Sequence, residues 1–402
     1  MPRAFLVVMD SVGVGGAPDA AQFFNGDTPD TGANTIAHIA KAHVGGLHLP
    51  TLDALGLGAA LHLASGATAP GLDAKPTGLW GCATEVSPGK DTPTGHWELA
   101  GVPVPWEWHT FPDETPAFPP KVVNAVTQAA GTNGILGNCH APGLKIMRDL
   151  GAEHLRTGWP ICYTSADSVF QIAAHEQSFG LNRLLDLCRA LAPMLHEMRV
   201  GRVIARPFVG DAETGFRRTP NRRDFAIPPP APTLCDWVQG AGGNVRAIGK
   251  IGDIFSMQDI DDVAKGSDAQ LMSHLFDAVD HAEDHSLTFA NFVEFDSLYG
   301  HPRDPFGYAQ SLEWFDSRIA ALLPRLRKGD MVLLTADHGN DPTWIGSDHT
   351  RERVPVLIAG LGAGELGEMA FTDVAASVAA HLGVPAQGPG QNRLPPHQTR
   401  TP

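Results

Sequence analysis

The stretch Thr335–Glu352 reads TADHGNDPTWIGSDHTRE. It follows Met331-Val332-Leu333-Leu334, a continuous apolar run that reads as a buried strand. Asp337 and His338 therefore fall where a strand ends and a loop begins. Eleven residues on, Asp348-His349 repeats the pair. Imidazole and carboxylate gathered at strand ends suit Zn, Mn or Fe. Two Asp and two His so close together are too many for one tetrahedral ion with an open face, so two metals are expected and further ligands must lie elsewhere. A polar loop merely rich in Asp and His is the alternative, and it explains one such pair more readily than two.

Composition sets the frame. The 402 residues suggest two or three domains at roughly 150 residues each. Hydrophobic residues make up 43%, as in an ordinary globular chain. The net charge of −15 argues against general binding to nucleic acid or anionic membranes. A phosphorylated substrate would therefore need a local cationic pocket. Five scattered Cys without a CxxC point to a reducing compartment and no disulfide framework. The apolar run in MPRAFLVVMD is too short for a signal-peptide core, and no stretch approaches the ~18 apolar residues of a membrane span. A soluble, cytoplasmic protein is expected, a monomer or weak dimer.

Phe5–Met9 reads as a buried parallel strand ending at Asp10. In open α/β sheets ligands bind at such strand ends. The following GVGG does not match a dinucleotide-binding GxGxxG, and Ala17-Pro18-Asp19 prevents a clean helix. Past the run Leu287–Val293 come Asp296 and His301, again beyond a strand end. Asp10, Asp296, His301, Asp337, His338 and His349 then supply three ligands for each of two metals.

Gly89-Lys90-Asp91-Thr92-Pro93 reads as a helix start, with Asp91 or Thr92 as N-cap and Pro93 in the first turn. A hydroxyl at a helix N-terminus beside a lysine is a plausible nucleophile for phosphoryl chemistry, because free N–H groups and the dipole hold phosphate there. A plain cap is the alternative. Coordination to a divalent cation would activate Thr92 and predicts a phospho-threonine intermediate. The imidazole content of the ligand set favours Mn or Zn over Mg or Ca.

Proline-rich stretches at 102–106 and 227–232 read as hinges, giving a core of 1–108 and 227–402 with an inserted domain at 109–226. Leu184, Cys188, Leu191 and Leu195 fall on one helical face of the insert. The insert also concentrates Ser165, Asp167, Arg206 and the arginines of 217–223, which form either a phosphate-binding fork or a solvated basic face.

Taken together, FLVVMDSVGVG, GKDTPTGHWELAGVPV, YTSADSVFQIAAHE, GRVIARPFVG, GKIGDIF, EFDSLYGH and TADHGNDPTW…DHTRE resemble, in order and over nearly the whole chain, the phosphopentomutase family of the alkaline phosphatase superfamily. The resemblance implies an α/β alkaline-phosphatase-like core, a central mostly parallel sheet flanked by helices, and a smaller inserted α+β cap that excludes water. It implies interconversion of ribose 1-phosphate, or 2-deoxyribose 1-phosphate, with the 5-phosphate in nucleoside salvage. By motif, Thr92 is the phosphorylated nucleophile between two Mn2+ ions. Asp10, Asp337 and His338 hold one ion, and Asp296, His301 and His349 the other. Ser165, Asp167, Arg206 and Lys250 position the sugar phosphate. Phospho-Thr92 gives a pentose 1,5-bisphosphate intermediate, and glucose 1,6-bisphosphate or a pentose 1,5-bisphosphate serves as activator.

Some positions depart from the family pattern. Ala141-Pro142-Gly143-Leu144 stands where the family usually reads Ala-Ser-Gly-Thr, Arg223 replaces a usual His, and Asn34 stands where Asp is common. None touches an expected ligand. A cofactor-independent phosphoglycerate mutase would use a serine nucleophile, against KDTPTGHWE. A broad phosphatase and a catalytically silent metal scaffold are the other competing readings.

Overall fold

The computed structural model describes residues 2–165 and 168–396. The chain divides into two compact units, Met1–Pro105 with Pro229–Pro402, and Trp106–Pro228. Both divisions fall inside the proline-rich stretches. The insert thus begins three residues before, and ends two residues after, the bounds expected from sequence.

The first unit is built on eight strands. In spatial order they are Asp262–Ala264, Asn244–Ile248, Ser286–Phe292, Arg3–Met9, Met331–Thr335, Val354–Ala359, Leu79–Thr84 and Gly364–Ala370. Val354–Ala359 runs antiparallel to both neighbours, and every other neighbouring pair is parallel. The three central strands, SLTFANF, RAFLVVM and MVLLT, are buried at every position. Such uninterrupted burial requires cover on both faces of the sheet, which crossover helices provide. Pro305–Leu322 starts where the Asp304 side chain accepts from Gly307 N–H, and it buries Tyr308, Leu312, Phe315, Ile319 and Leu322. The last helix runs Phe371–Leu382. This is the mostly parallel, helix-flanked α/β sheet that the resemblance implies.

The second unit has a sheet in the order Arg223–Ala226, Arg202–Val209, Val169–His175, Ile161–Thr164 and Leu136–His140, with Arg217–Arg218 paired to the second strand. Val122, Val126, Leu184, Cys188, Leu191 and Leu195 pack with Phe170, Ile172 and Val203 in one core. Ile146, Met147, Tyr163, Ala173 and Phe208 form another. Alternation of strand residues between these two cores follows from the two-residue period of a strand. Among the described residues, no helix is long and apolar enough to cross a membrane. All five cysteines are free, and four are buried.

Candidate metal centre

Register brings the acidic residues together. Val8 pairs with Thr335 and Met9 with Phe292, so the residues after all three strands emerge side by side. Asp10 N–H donates to Phe292 O at 3.2 Å. Ser11 N–H donates to Asp337 Oδ1 at 3.1 Å. Ser11 takes φ +71°, which turns the chain sharply away after Asp10.

Asp10, Asp337 and His338 form one cluster, with one potential ligand atom from each lying within 4.8 Å of the others. His338 Nε2 is 3.5 Å from Asp10 Oδ1 and 3.3 Å from Asp337 Oδ2. His338 Nδ1 lies 3.1 Å from Gly339 O. A proton on Nδ1 satisfies that carbonyl and turns the Nε2 lone pair toward the carboxylates, the arrangement a metal-binding imidazole needs. Burial pushes the His338 pKa down to about 4, which keeps the ring neutral.

A second cluster groups Asp296, His349 and the same His338. Asp296 Oδ1 is 3.4 Å from His349 Nε2, and Asp296 Oδ2 is 3.1 Å from His301 Nε2. His301 Nδ1 sits 2.7 Å from Ser347 O, which again leaves Nε2 facing the carboxylate. The His338 and His349 rings stack, with centroids 3.9 Å apart. The two tight triplets therefore share His338, where the sequence suggested three separate ligands per ion. His301 joins through Asp296.

Thr92 opens the helix Thr92–Leu99, whose N-cap is Asp91, accepting from Thr94 N–H. Thr92 Oγ1 lies 3.2 Å from His338 Nε2. The helix can approach this closely because residue 95 is glycine; a Cβ there would collide with the Asp337 carbonyl oxygen. One turn after Thr92, His96 Nδ1 is 2.9 Å from Thr92 O and 3.0 Å from Asp337 Oδ2. His96 Nε2 lies 2.9 Å from Asn291 Nδ2, which also donates to Asp10 Oδ2 at 3.0 Å. His96 and Asn291 thus tie the Thr92 helix to two of the acids. Lys90 is not a free phosphate binder. Its Nζ is engaged by Asp30 Oδ2 at 3.0 Å, Phe24 O at 2.9 Å and Asp348 Oδ2 at 3.2 Å.

The donor set fits divalent cations. Asp10 Oδ1, Asp337 Oδ2 and His349 Nε2 are buried without hydrogen-bond partners among the described residues. Burial, then the Asp337 and Asp296 charges, raises Asp10 well above the ordinary carboxylate range. Burial alone would also raise Asp296, but His349 and His301 outweigh it and hold Asp296 well below that range. Burial opposes charge on His349, yet Asp296 outweighs it and lifts His349 to about 10. Protons here balance what a metal charge would otherwise balance, and cation binding would expel them. Asp10, Asp337, His338, Asp296, His301 and His349 are the residues that could hold the ions.

Among the residues expected to position substrate, Ser165 follows the strand Ile161–Thr164 and is half-buried. Arg206, also half-buried, donates from Nε to Gln171 Oε1 at 2.6 Å. Lys250 caps the short helix Ile251–Ile254 in the first unit and is exposed. Asp167 lies outside the described residues. Of the arginine run, Arg217 is exposed and Arg222 is bound bidentately to Asp224 at 2.7 Å, so part of it is a solvated face. The sequence reading missed His96, Asn291, Arg303 and Asn340. Only His96 carried a local signal, its i+4 spacing from Thr92.

Residues 2–386 match the model of the Metalloenzyme superfamily. The chain is 52% identical to a phosphopentomutase of Chelativorans sp. (strain BNC1), covering 96% of this chain and 97% of that one. It is 50% identical to a phosphopentomutase of Rhizobium leguminosarum bv. trifolii (strain WSM2304), over 98% of this chain and all of the relative. A solved phosphoglycerate mutase of Leishmania mexicana aligns at 13% identity and a TM-score of 0.47, over 97% of both chains. With identity of this order over its whole length, the chain belongs to the phosphopentomutase family within the Metalloenzyme superfamily.

Proposed function

We propose that the protein interconverts ribose 1-phosphate, and 2-deoxyribose 1-phosphate, with the corresponding 5-phosphates in nucleoside salvage, through phosphorylated Thr92. The observation that carries this reading is the placing of the Thr92 hydroxyl, at a helix N-terminus, 3.2 Å from His338 in a nest of buried carboxylates and imidazoles. When bound, two divalent ions, Mn2+ in this reading, would lower the pKa of the threonine hydroxyl and neutralise phosphoryl charge.

The chain's own residues account for the rest. Asp91 caps the helix by accepting from Thr94 N–H, which fixes the helix start whose dipole would face the phosphoryl group. His96 holds the Thr92 carbonyl and so fixes where Oγ1 points. The substrate hydroxyl bonds to phosphorus as the bond from Thr92 Oγ1 breaks, giving a pentose 1,5-bisphosphate. That intermediate reorients and returns its other phosphoryl group to Thr92. Ser165, Asp167, Arg206 and Lys250 position the sugar phosphate, and a trace of glucose 1,6-bisphosphate or pentose 1,5-bisphosphate primes the resting enzyme.

A phosphorus NMR time course tests this. With ribose 1-phosphate, Mn2+ and a trace of glucose 1,6-bisphosphate, ribose 5-phosphate grows without matching inorganic phosphate, and Thr92→Ala abolishes it. Inorganic phosphate as the main product would replace the mutase reading with a phosphatase.

A further inference from the structure

The helix Thr35–Ala42 in the first unit flanks an open cleft of about 430 Å3, and none of the residues of the proposed reaction lines it. A concavity of a few hundred Å3 with mostly apolar walls and a few convergent polar groups is the usual form of a small-ligand site. Here the walls are largely alanine, and Ala17, Ala20, Ala33 and Ala37 are all buried. The basic side chains of His38 and Lys41 also line the cleft, and no carboxylate does. In a chain of net charge −15 this is a local reversal of sign.

His38 and Lys41 stand three residues apart, so one helical face presents both. His38 is held from behind. Its Nδ1 bonds to Asp341 Oδ2, and Asp341 is itself fixed by Asn34 N–H at 3.0 Å, Thr343 N–H at 2.9 Å and Thr343 Oγ1 at 2.8 Å. The bond to Asp341 raises the His38 pKa from its ordinary value, against the opposing effects of burial and of Lys41. Asp341 and Glu352 are the acids that act on the imidazole; both are buried, and neither lines the cleft. His38 Nε2 has no hydrogen-bond partner among the described residues, and Lys41, exposed, has no ion pair among them. Asn34 completes the set. Its Oδ1 accepts from Ala37 N–H at 3.1 Å, and its Nδ2 donates to Ser65 Oγ at 3.1 Å. An aspartate, common at this position in the family, would cap the helix equally well but would bring a carboxylate to the cleft.

We infer that this cleft binds a small organic anion, an apolar body carrying one carboxylate or phosphate group, with the charged group at His38 and Lys41. The alanine walls give the body apolar contact. An imidazole backed by Asp341 and an ammonium give the anionic head charge-assisted hydrogen bonds. Asparagine at 34 makes the site a property of this chain, because a carboxylate there would repel the ligand. No lining residue takes part in the proposed reaction at Thr92, so the inference does not rest on the mutase reading.

The test uses full-length protein with Zn2+ present and its alanine methyl groups labelled with 13C, titrated with benzoate, with phenyl phosphate and with neutral benzamide. Saturable shifts of the Ala33 and Ala37 methyl signals are expected with at least one anion, and the dissociation constant for benzamide should be at least about tenfold higher. Asn34→Asp and Lys41→Ala should each raise the dissociation constant for the anion about tenfold. Asn34→Asp installs a residue common at this position in the family, and an unchanged melting temperature shows that the fold survives. Tighter binding of benzoate assigns a carboxylate ligand, and tighter binding of phenyl phosphate assigns a phosphate ester. Absence of shifts with both anions, equal binding of benzamide, or binding indifferent to both substitutions overturns the inference. The result stands apart from the outcome of the mutase assay.

Discussion

Asn340 Nδ2 donates to Asp296 Oδ1 at 2.7 Å, and the same Asn340 accepts through Oδ1 from Arg303. Arg303 also donates to Gly300 O at 3.0 Å, Gly346 O at 2.7 Å and Asp348 O at 2.8 Å. One guanidinium therefore anchors the residue before His301, the residue before His349 and the partner of Asp296. A planar fork with five donors can serve all four acceptors; an ammonium cannot.

Arg303→Met is accordingly expected to weaken metal binding about 10–100-fold, the usual cost of losing an outer support of a metal site. Arg303→Lys should restore little. Titration calorimetry with Mn2+ on metal-free protein reads this directly. Unchanged affinity in both variants would remove Arg303 from the centre.

Asp10 illustrates how the site trades stability for function. Its carboxylate is fully buried beside Asp337 and Asp296. In metal-free protein, Asp10→Asn should raise stability by about 1–3 kcal/mol through relief of a buried like charge. It should also remove most of the rise in melting temperature that Mn2+ gives the unsubstituted protein. Thermal scans with and without EDTA check both effects.

His96 joins the Thr92 helix to Asn291 and lies next to Asp337. His96→Leu leaves the Asn291 amide short of a partner in a fully buried place. A loss of about 1–3 kcal/mol is expected in urea denaturation. kcat should fall as well, because Thr92 loses its backbone restraint. A stability loss with kcat intact would limit His96 to a structural part.

His154, in the second unit, carries a pH dependence. Its Nδ1 lies 2.6 Å from Trp159 O, and its Nε2 accepts from His175 N–H at 2.9 Å. Both ring nitrogens are thus used by the neutral ring, and burial lowers its pKa from the ordinary value. As pH falls through about 6.5, the unfolded chain takes up a proton that the folded one resists. Stability from this group is complete above that pH and is lost below it, by up to about 1.4 kcal/mol per unit. The protection factors of the Val169–His175 amides, taken against the intrinsic exchange rate at each pH, should fall between pH 7 and pH 5.5. His154→Gln should flatten that response.

Where the acids stand along the chain is legible in the local pattern of residues. VVM before Asp10, MVLL before Asp337 and LTFANF before Asp296 are apolar runs that admit no other local reading than buried strands. Residues just past such runs lie at strand ends, where open α/β sheets bind ligands. The capped helix start at Thr92 was equally legible, since Asp91 and Pro93 are local signals. Tertiary structure alone decided how these pieces meet. Sheet order places the strand 286–292 beside 3–9 and 3–9 beside 331–335, and that order is set by crossovers spanning hundreds of residues. Only then do Asn291 and His96, 195 positions apart, come to share a hydrogen bond, and only then does His338 stand between the two clusters. Lys90 shows the same limit: its sequence neighbours suggested a phosphate contact, while the fold surrounds it with Asp30 and Asp348. Periodicity reports which face of an element is buried. It holds no record of which distant element supplies the cover, because that is fixed by packing and charge balance across the whole core.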